Sequence, residues 1–312
     1  MKKLIIILLS LYAVNSFAQA DSWNKHLFKL TPESIQQLKE KGMVYPSKYY
    51  MYIVTPLTKD KLISTELSNM IFVQGGVLRQ RNGEKIKVSS YYINKYLTPY
   101  YLYNSYLNEL NKYFPSEDDE MSPERNGDYP IKAGFKRAHN YCQWLAKETG
   151  LPFKLPTMAQ WHNGTMAQWL YAATSGGKNW NYPTNNGKLE IGKNYPNLLL
   201  EKSLETANLV TGLPINSLGI HQFFGNGLQW TSSTLTDKNQ AEFKVFVRER
   251  EDYNFNKIVA GTPYHWDKND IESVNLSSFD YIQSGNPNID LKTMGGAAFR
   301  CVINTDKPLP KA

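Results

Sequence analysis

The chain has 312 residues, of which 41% are hydrophobic and 13% aromatic, and it carries a formal net charge of +7. A chain of this size and composition buries a large apolar core, as one large globular domain or two small ones. Its positive charges are spread along the sequence without the lysine and arginine cluster that nucleic-acid binding requires, so we expect no nucleic-acid partner.

Residues 1–20 have the pattern of an export signal. Lys2 and Lys3 precede an apolar stretch at 4–14, and Ala18 and Ala20 supply the small residues that a signal peptidase reads. We therefore expect cleavage near Ala20 and a periplasmic or secreted protein. The apolar stretch is too short for a permanent membrane helix, and no later segment is longer and equally apolar, so we expect no transmembrane segment.

The mature chain is predicted to begin with an extension at 21–66, in which Thr31 marks a helix start. The periodic segments that follow are a strand at 70–76 closed by a glycine turn, a strand at 88–93, and helices at 100–113 and 131–149. Gly150 lies just past the second helix, where a left-handed cap is expected. From 174 to 297 glycine, proline and asparagine recur every few residues, which predicts an α+β domain with much irregular structure.

A pentapeptide is repeated just before this region. The letters TMAQW at 157–161 return at 165–169, which makes an eight-residue tandem unit with His162, Asn163 and Gly164 between the copies. Asn-Gly is a turn signal, so we expect the extra copy to bulge out of the fold as a short insertion. A function for the insertion stays open.

Cys142 and Cys301 are the only cysteines in the chain. Each lies in an apolar stretch, and the two are far apart in sequence. In an exported protein this pattern indicates one structural disulfide and leaves no free thiol for chemistry.

Several short motifs occur in an order that is typical of one family. They are FVQGG at 72–76, GLPFKLPT at 150–157, QWLYAA at 168–173, GNGLQWT at 225–231 and GGAAFRCV at 295–302. Over roughly residues 70–303 the chain resembles the sulfatase-modifying-factor family, whose founding member is the formylglycine-generating enzyme. The resemblance implies a single α+β domain akin to C-type lectins, which we place at 67–306 with a tail at 307–312. It also implies that the cysteine pair matching Cys142 and Cys301 is bonded.

The resemblance does not extend to the catalytic cysteines. The family's oxidase uses a redox-active cysteine pair that binds copper between the Trp-Thr motif and the closing Phe-Arg, and this chain has no cysteine between Trp230 and Phe299. Cu(I) requires thiolate or thioether ligands, for which Met294 alone is a poor substitute. We therefore expect no formylglycine generation by that chemistry, and we expect no cofactor.

Calcium sites of the family carry over only in part. The resemblance implies Asn208 at one site and Asn226, with Gln229 in place of a glutamate, at another. From 206 to 236 the chain has no aspartate or glutamate, and calcium favours several anionic oxygens. These residues are therefore weak calcium candidates, and we expect them to make buried amide hydrogen bonds instead.

Two classes of function remain open. The first is a non-catalytic binding or scaffold protein, a pseudoenzyme that recognises an envelope or secreted protein, with toxin immunity as one form. The second is an enzyme with a substituted, non-cysteine active site that modifies an exported protein or a small molecule. Amphipathic aromatics among polar residues are typical of recognition surfaces. The candidate partner-binding residues on this basis are Arg248, Arg250, Tyr253, Phe255, Tyr264, His265 and Trp266.

Overall fold

The computed structural model describes residues 27–29, 52–54, 57–79, 83, 85–110, 129–157, 167–195, 210–234, 257–262, 269, 272, 276, 282–285 and 297–310. The predicted signal peptide and the predicted helix start at Thr31 lie outside these residues. By contact density the chain forms two compact units, Met1–Thr58 with Tyr100–Tyr129, and Lys59–Pro99 with Pro130–Ala312. No helix in the described part of the chain is long and apolar enough to cross a bilayer.

The described elements, in chain order, are β1 (Leu27–Lys29), β2 (Tyr52–Val54), α1 (Lys59–Ser68), β3 (Met70–Val73), β4 (Gly76–Arg79), β5 (Lys85–Val88), β6 (Tyr91–Asn94), α2 (Tyr100–Glu109), α3 (Phe135–Thr149), β7 (Phe153–Lys154), α4 (Gln168–Ala173), β8 (Gln229–Thr234), β9 (Lys257–Ala260), β10 (Ile282–Gly285) and β11 (Val302–Ile303). The first unit contains β1, β2 and α2. Its two strands are antiparallel, and Ser105 of α2 accepts a hydrogen bond from the main-chain N of Leu57 at 2.9 Å.

The second unit is built on a four-stranded sheet with the order β3-β6-β11-β7, in which all pairs are antiparallel. One face contributes Val73, Tyr91, Ile93 and Val302 to a core cluster that also contains α4. The other face is tied to two helices, because a side chain of α1 bonds both β6 and α3 and a disulfide joins α3 to the start of β11. A second sheet has the order β10-β9-β8, and β4 and β5 form a separate hairpin.

The predicted helix at 131–149 begins four residues later than expected, at Phe135. Ala133 forms a bridge with Ala297, and Ile131 donates its N–H to Thr98, so this stretch is extended until Gly134 starts the helix. The far end agrees with the prediction, because Gly150 caps the helix with a φ of 70°. The predicted helix at 100–113 is present as α2, which spans Tyr100–Glu109. The residues beyond 110 lie outside the described part.

The single strand predicted at 88–93 is wrong, because the structure ends β5 at Val88 and begins β6 at Tyr91. Between the two strands, residues 88–90 pass close to the glycine turn that follows β3. The Ser90 hydroxyl accepts a hydrogen bond from Gly75 N at 2.9 Å. A Cβ at Gly75 would lie 2.6 Å from Val88 O and from Ser90 N, so only glycine permits this contact.

Candidate functional site

The predicted disulfide is present. Cys142 of α3 and Cys301, directly before β11, are bonded with 5.8 Å between their Cα atoms, and they are 159 positions apart in sequence. Both are fully buried. The chain has no other cysteine, so no free thiol remains. The disulfide fastens a helix to the sheet.

A buried carboxylate lies on the same face of the sheet as the disulfide. Glu66 of α1 is 1% exposed and accepts hydrogen bonds from the Tyr141 hydroxyl at 2.5 Å and from the Asn94 amide at 2.7 Å. Asn94 in turn accepts a hydrogen bond from Cys301 N. Burial raises the pKa of Glu66, and the two hydrogen bonds oppose that shift. Glu66 therefore joins α1, α3 and β6 inside the protein.

The Arg300 guanidinium is buried among hydrogen-bond acceptors. It donates to the side-chain oxygen of Gln229 at 3.1 Å and to the main-chain carbonyls of Asn94, Lys95, His221 and Gln222. The Phe223 ring lies 4.6 Å from its Cζ atom. Burial lowers the pKa of Arg300 to about 9, so the side chain is still a cation at neutral pH. Each guanidinium nitrogen has an acceptor, which leaves none directed at a ligand.

Two of the three calcium candidates belong to this network. Gln229 accepts a second hydrogen bond at Oε1 from Trp169 Nε1 at 3.0 Å, and its Nε2 donates to the Gln222 carbonyl at 2.7 Å. Asn226 donates to the Gln222 side-chain oxygen at 2.7 Å. Asn208 lies outside the described residues. Asn226 and Gln229 thus both donate hydrogen bonds to Gln222, whose carbonyl also accepts a hydrogen bond from the Arg300 guanidinium.

All seven candidate partner-binding residues lie outside the described part of the chain. The strands that flank them are described. Arg248, Arg250, Tyr253 and Phe255 fall in the connection from β8 to β9, and Tyr264, His265 and Trp266 fall in the connection from β9 to β10. Thr234 pairs with Lys257 and Ala260 pairs with Ile282, so the two connections leave from opposite ends of β9. A four-residue strand separates these ends by about 10 Å.

A lysine and an aromatic cluster lie where the first of these connections meets the sheet. Lys257 Nζ donates to the Thr234 hydroxyl at 2.9 Å and lies 4.9 Å from the centroid of the Phe135 ring. Phe135 is stacked on His139 and meets Trp230 edge-on. Burial lowers the pKa of Lys257. Burial, and then the charge of Lys257, lower the pKa of His139, so this imidazole is neutral at pH 7.

Sequence reasoning missed this Lys257 cluster and the buried Glu66. Phe135 and His139 have the spacing of neighbours on one helix face, but nothing in the sequence pairs them with a lysine more than one hundred positions away. Within the described ranges, no group of three or more histidine, cysteine, aspartate or glutamate side chains is placed to hold a metal ion. In this cluster the described geometry places a half-buried cation on an aromatic surface.

Comparison with known proteins agrees with this architecture. A family model described as a sulfatase-modifying factor enzyme 1-like domain matches residues 58–305. The structure is similar to that of PvdO from Pseudomonas aeruginosa, with a TM-score of 0.51 and 15% identity over 75% of this chain and 93% of that one. It is also similar to Treponema denticola variable protein 1, with a TM-score of 0.52 and 14% identity over 76% of this chain and 95% of that one. No curated protein sequence matches the chain.

Proposed function

This chain belongs to the sulfatase-modifying factor enzyme 1-like family, and on that premise we propose that it is an exported, non-catalytic binding or scaffold protein. Its partner is an envelope or exported protein, and toxin immunity is one form of this role. One observation carries the proposal. Both cysteines of the chain are held in a buried disulfide, so the redox-active pair of the family's oxidase has no counterpart here.

The sheet β10-β9-β8 gives a physical reason to place the partner-binding surface in the connections between its strands. Its strands fix both ends of the β8–β9 connection and both ends of the β9–β10 connection. Long loops on a rigid base are the parts of a fold that change most readily without loss of stability, and they carry many recognition surfaces. The seven candidate partner-binding residues, which are aromatic or charged or, in one case, histidine, fall in these two connections.

The absence of oxidase activity is tested directly. Purified mature protein is incubated with a cysteine-containing sulfatase peptide, with and without copper, and the peptide is analysed by mass spectrometry. We expect no conversion to formylglycine. Copper-dependent conversion would show that the chain oxidises cysteine without a free cysteine pair, and the proposal of a non-catalytic protein would be wrong.

Partner recognition is tested with two groups of variants, since the two connections leave from opposite ends of β9. A partner is first captured from the envelope fraction of the producing cells, then purified and titrated against Tyr253→Ala/Phe255→Ala and Tyr264→Ala/Trp266→Ala. Phe72→Ala is the matched control, because Phe72 is an aromatic residue on β3 that is 41% exposed. We expect weaker binding by about tenfold or more, about 1.4 kcal/mol, for at least one group. Unchanged binding by both folded variants would reject this surface.

The alternative of a substituted enzyme has one observation in its favour. Lys257 is partly buried with a lowered pKa and lies next to His139, which is an arrangement that some active sites share. The same captured partner separates the two functions. A covalent change in its intact mass after incubation with the protein, lost in Lys257→Met, would support the enzyme, whereas an unchanged mass supports binding alone.

A further inference from the structure

The β4–β5 hairpin presents a basic face to solvent. Val77 lies opposite Lys87 and Arg79 lies opposite Lys85 in the antiparallel register. All four side chains are exposed, with Val77 at 48%. The alternate residues Leu78 and Val88 are buried, so the hairpin has one apolar face and one cationic face.

Among the described residues, no salt bridge involves a cation of this face. The salt bridges among the described residues join Lys59 to Glu148 and Lys193 to Glu190, and neither involves the hairpin. Between residues 76 and 88 the sequence has one acid, Glu84, against four basic residues.

The register makes this arrangement unfavourable for the protein alone. Directly opposite side chains on one face have Cβ atoms about 4.5–5.5 Å apart, and like charges at this distance destabilise the pair. Arg79 and Lys85 are such a pair. A bound anion would relieve the repulsion, which is a reason for a binding protein to retain the pair.

Among the described strands, one edge of the hairpin has no partner. On the β4 side, Gly177 approaches closely, since a Cβ placed on it would lie 3.0 Å from Val77 O. On the β5 side, no described strand other than β4 is paired with Lys85–Val88. The open edge is therefore the strand that carries Lys85 and Lys87. Lysines on an edge strand also discourage pairing between copies of a protein, and the experiment below separates that role from binding.

We propose that this face docks an acidic, extended segment of a protein partner along β5. Side chains two residues apart on a strand are about 6.8 Å apart, so carboxylates at alternate positions of such a segment match Lys85 and Lys87. Arg79 offers a planar fork for a further carboxylate, and Val77 offers a small apolar contact. A single exposed valine gives little area to insert into a bilayer, which favours a protein over a lipid surface. The inference rests on the proposed function and adds the charge and conformation of the partner segment.

The test uses a fluorescent peptide of about 12 residues in which glutamate alternates with threonine, long enough to span the strand. Its anisotropy is measured with the mature protein at about 50 mM and about 300 mM salt, and a glutamine-threonine peptide is the chemical control. We expect the glutamate peptide to bind at low salt and to bind Lys85→Glu/Lys87→Glu at least about tenfold more weakly. Lys136→Glu/Lys307→Glu is the matched control, because it changes the net charge equally at two exposed lysines elsewhere.

Each outcome decides the question. Equal weakening in both double variants would attribute binding to net charge and overturn the proposal. Binding to anionic phosphatidylglycerol vesicles through Lys85 and Lys87, without peptide binding, would identify a lipid surface and overturn it as well. Lys85→Gln/Lys87→Gln covers the case in which charge reversal unfolds the hairpin. If these variants only aggregate and the wild type binds no peptide, the lysines are edge protection. That result would not affect the proposed function, which the capture experiment with variants in the β8–β9 and β9–β10 connections tests separately.

Discussion

The duplicated pentapeptide allows a test in which two tryptophans in the same local sequence are expected to behave differently. Thr157 belongs to the first copy, but its partners belong to the second. Its N and hydroxyl lie 3.3 and 3.4 Å from Gln168 Oε1, and its carbonyl accepts from Trp169 N at 2.9 Å. Among the described residues, the first residue of one copy is therefore hydrogen-bonded to the last two residues of the other. We predict that Trp169→Phe destabilises the protein and that Trp161→Phe does not.

The magnitude follows from the surroundings of Trp169. It is 2% exposed, donates to Gln229 Oε1 at 3.0 Å and meets the Phe223 ring edge-on at 5.1 Å. Phenylalanine lacks the donor, which costs about 1 kcal/mol, and its smaller ring leaves a cavity that costs about 1–2 kcal/mol. We expect a total loss of about 2–3 kcal/mol. For Trp161→Phe we expect a change within about 0.5 kcal/mol.

The free energy of unfolding is measured in urea by far-ultraviolet circular dichroism, because both variants alter tryptophan fluorescence. A third chain lacks residues 158–165, so that Thr157 is followed directly by the second copy and a single TMAQW remains. Shortening a loop of this size changes its closure entropy by less than about 1 kcal/mol, so the deletion is expected to be nearly neutral. If Trp161→Phe costs as much as Trp169→Phe, or if the deletion unfolds the protein, the first copy is part of the core and the reasoning is wrong.

Three further predictions concern the buried groups. Replacing Cys142 and Cys301 by alanine should cost about 5 kcal/mol on the chain-entropy model, since the bond closes a loop with a separation of 159 residues; a loss below about 2 kcal/mol in urea would contradict it. The raised pKa of Glu66 means that its stabilising contribution is present below about pH 4.3 and is lost as pH rises through the folded pKa. Glu66→Gln should therefore reduce the fall of the urea midpoint as pH rises above about 4.3. A slope equal to that of the wild type would refute this prediction. Arg300→Lys should cost about 3 kcal/mol or more, because an ammonium cannot reach all the carbonyls that the guanidinium bonds; a melting temperature within about 3 °C of the wild type would count against that network.

The family and fold were predictable from sequence because short motifs mark the turns that the fold requires. FVQGG contains Gly75, whose backbone must pass close to Ser90, and GLPFKLPT begins with the left-handed helix cap. Such positions depend on local geometry and leave a local signature. The predicted disulfide followed from the cysteine count and the export signal, together with the family resemblance.

Helix α1 left no such signature. Its buried side chains are Leu62 and Glu66, so one of the two positions that face the core carries a carboxylate, and apolar periodicity cannot reveal the helix. The basic hairpin face was hidden for another reason. Arg79 on one strand and Lys85 and Lys87 on the other look scattered along the chain, and only the antiparallel register brings them to one surface.

The Arg300 network could be recognised only as part of a motif. Four of the five acceptors of its guanidinium are main-chain carbonyls, and any residue type can supply a carbonyl. The sequence therefore cannot show where a buried arginine finds its partners. The fifth acceptor is the side-chain amide oxygen of Gln229. The sequence shows this residue at a position where the family resemblance implies a glutamate.

That amide leads to the prediction on calcium. Gln229 Oε1, the atom a calcium ion would use, already accepts hydrogen bonds from Trp169 Nε1 and from the Arg300 guanidinium. A cation at this oxygen would have to displace both donors and lie beside a buried positive charge, without an anionic ligand among the residues from 206 to 236. We therefore expect millimolar calcium to raise the melting temperature by less than about 5 °C, which is roughly 1–2 kcal/mol for a protein of this size.

The measurement compares calcium with magnesium at equal concentration and ionic strength, in the wild type and in Asn226→Ala. A small rise that is equal for both cations would reflect screening of the positive net charge. A rise above about 5 °C for calcium alone, lost in Asn226→Ala, would contradict the prediction. It would mean that acids from elsewhere in the chain complete a calcium site and that the hydrogen bonds of Gln229 rearrange to admit the ion.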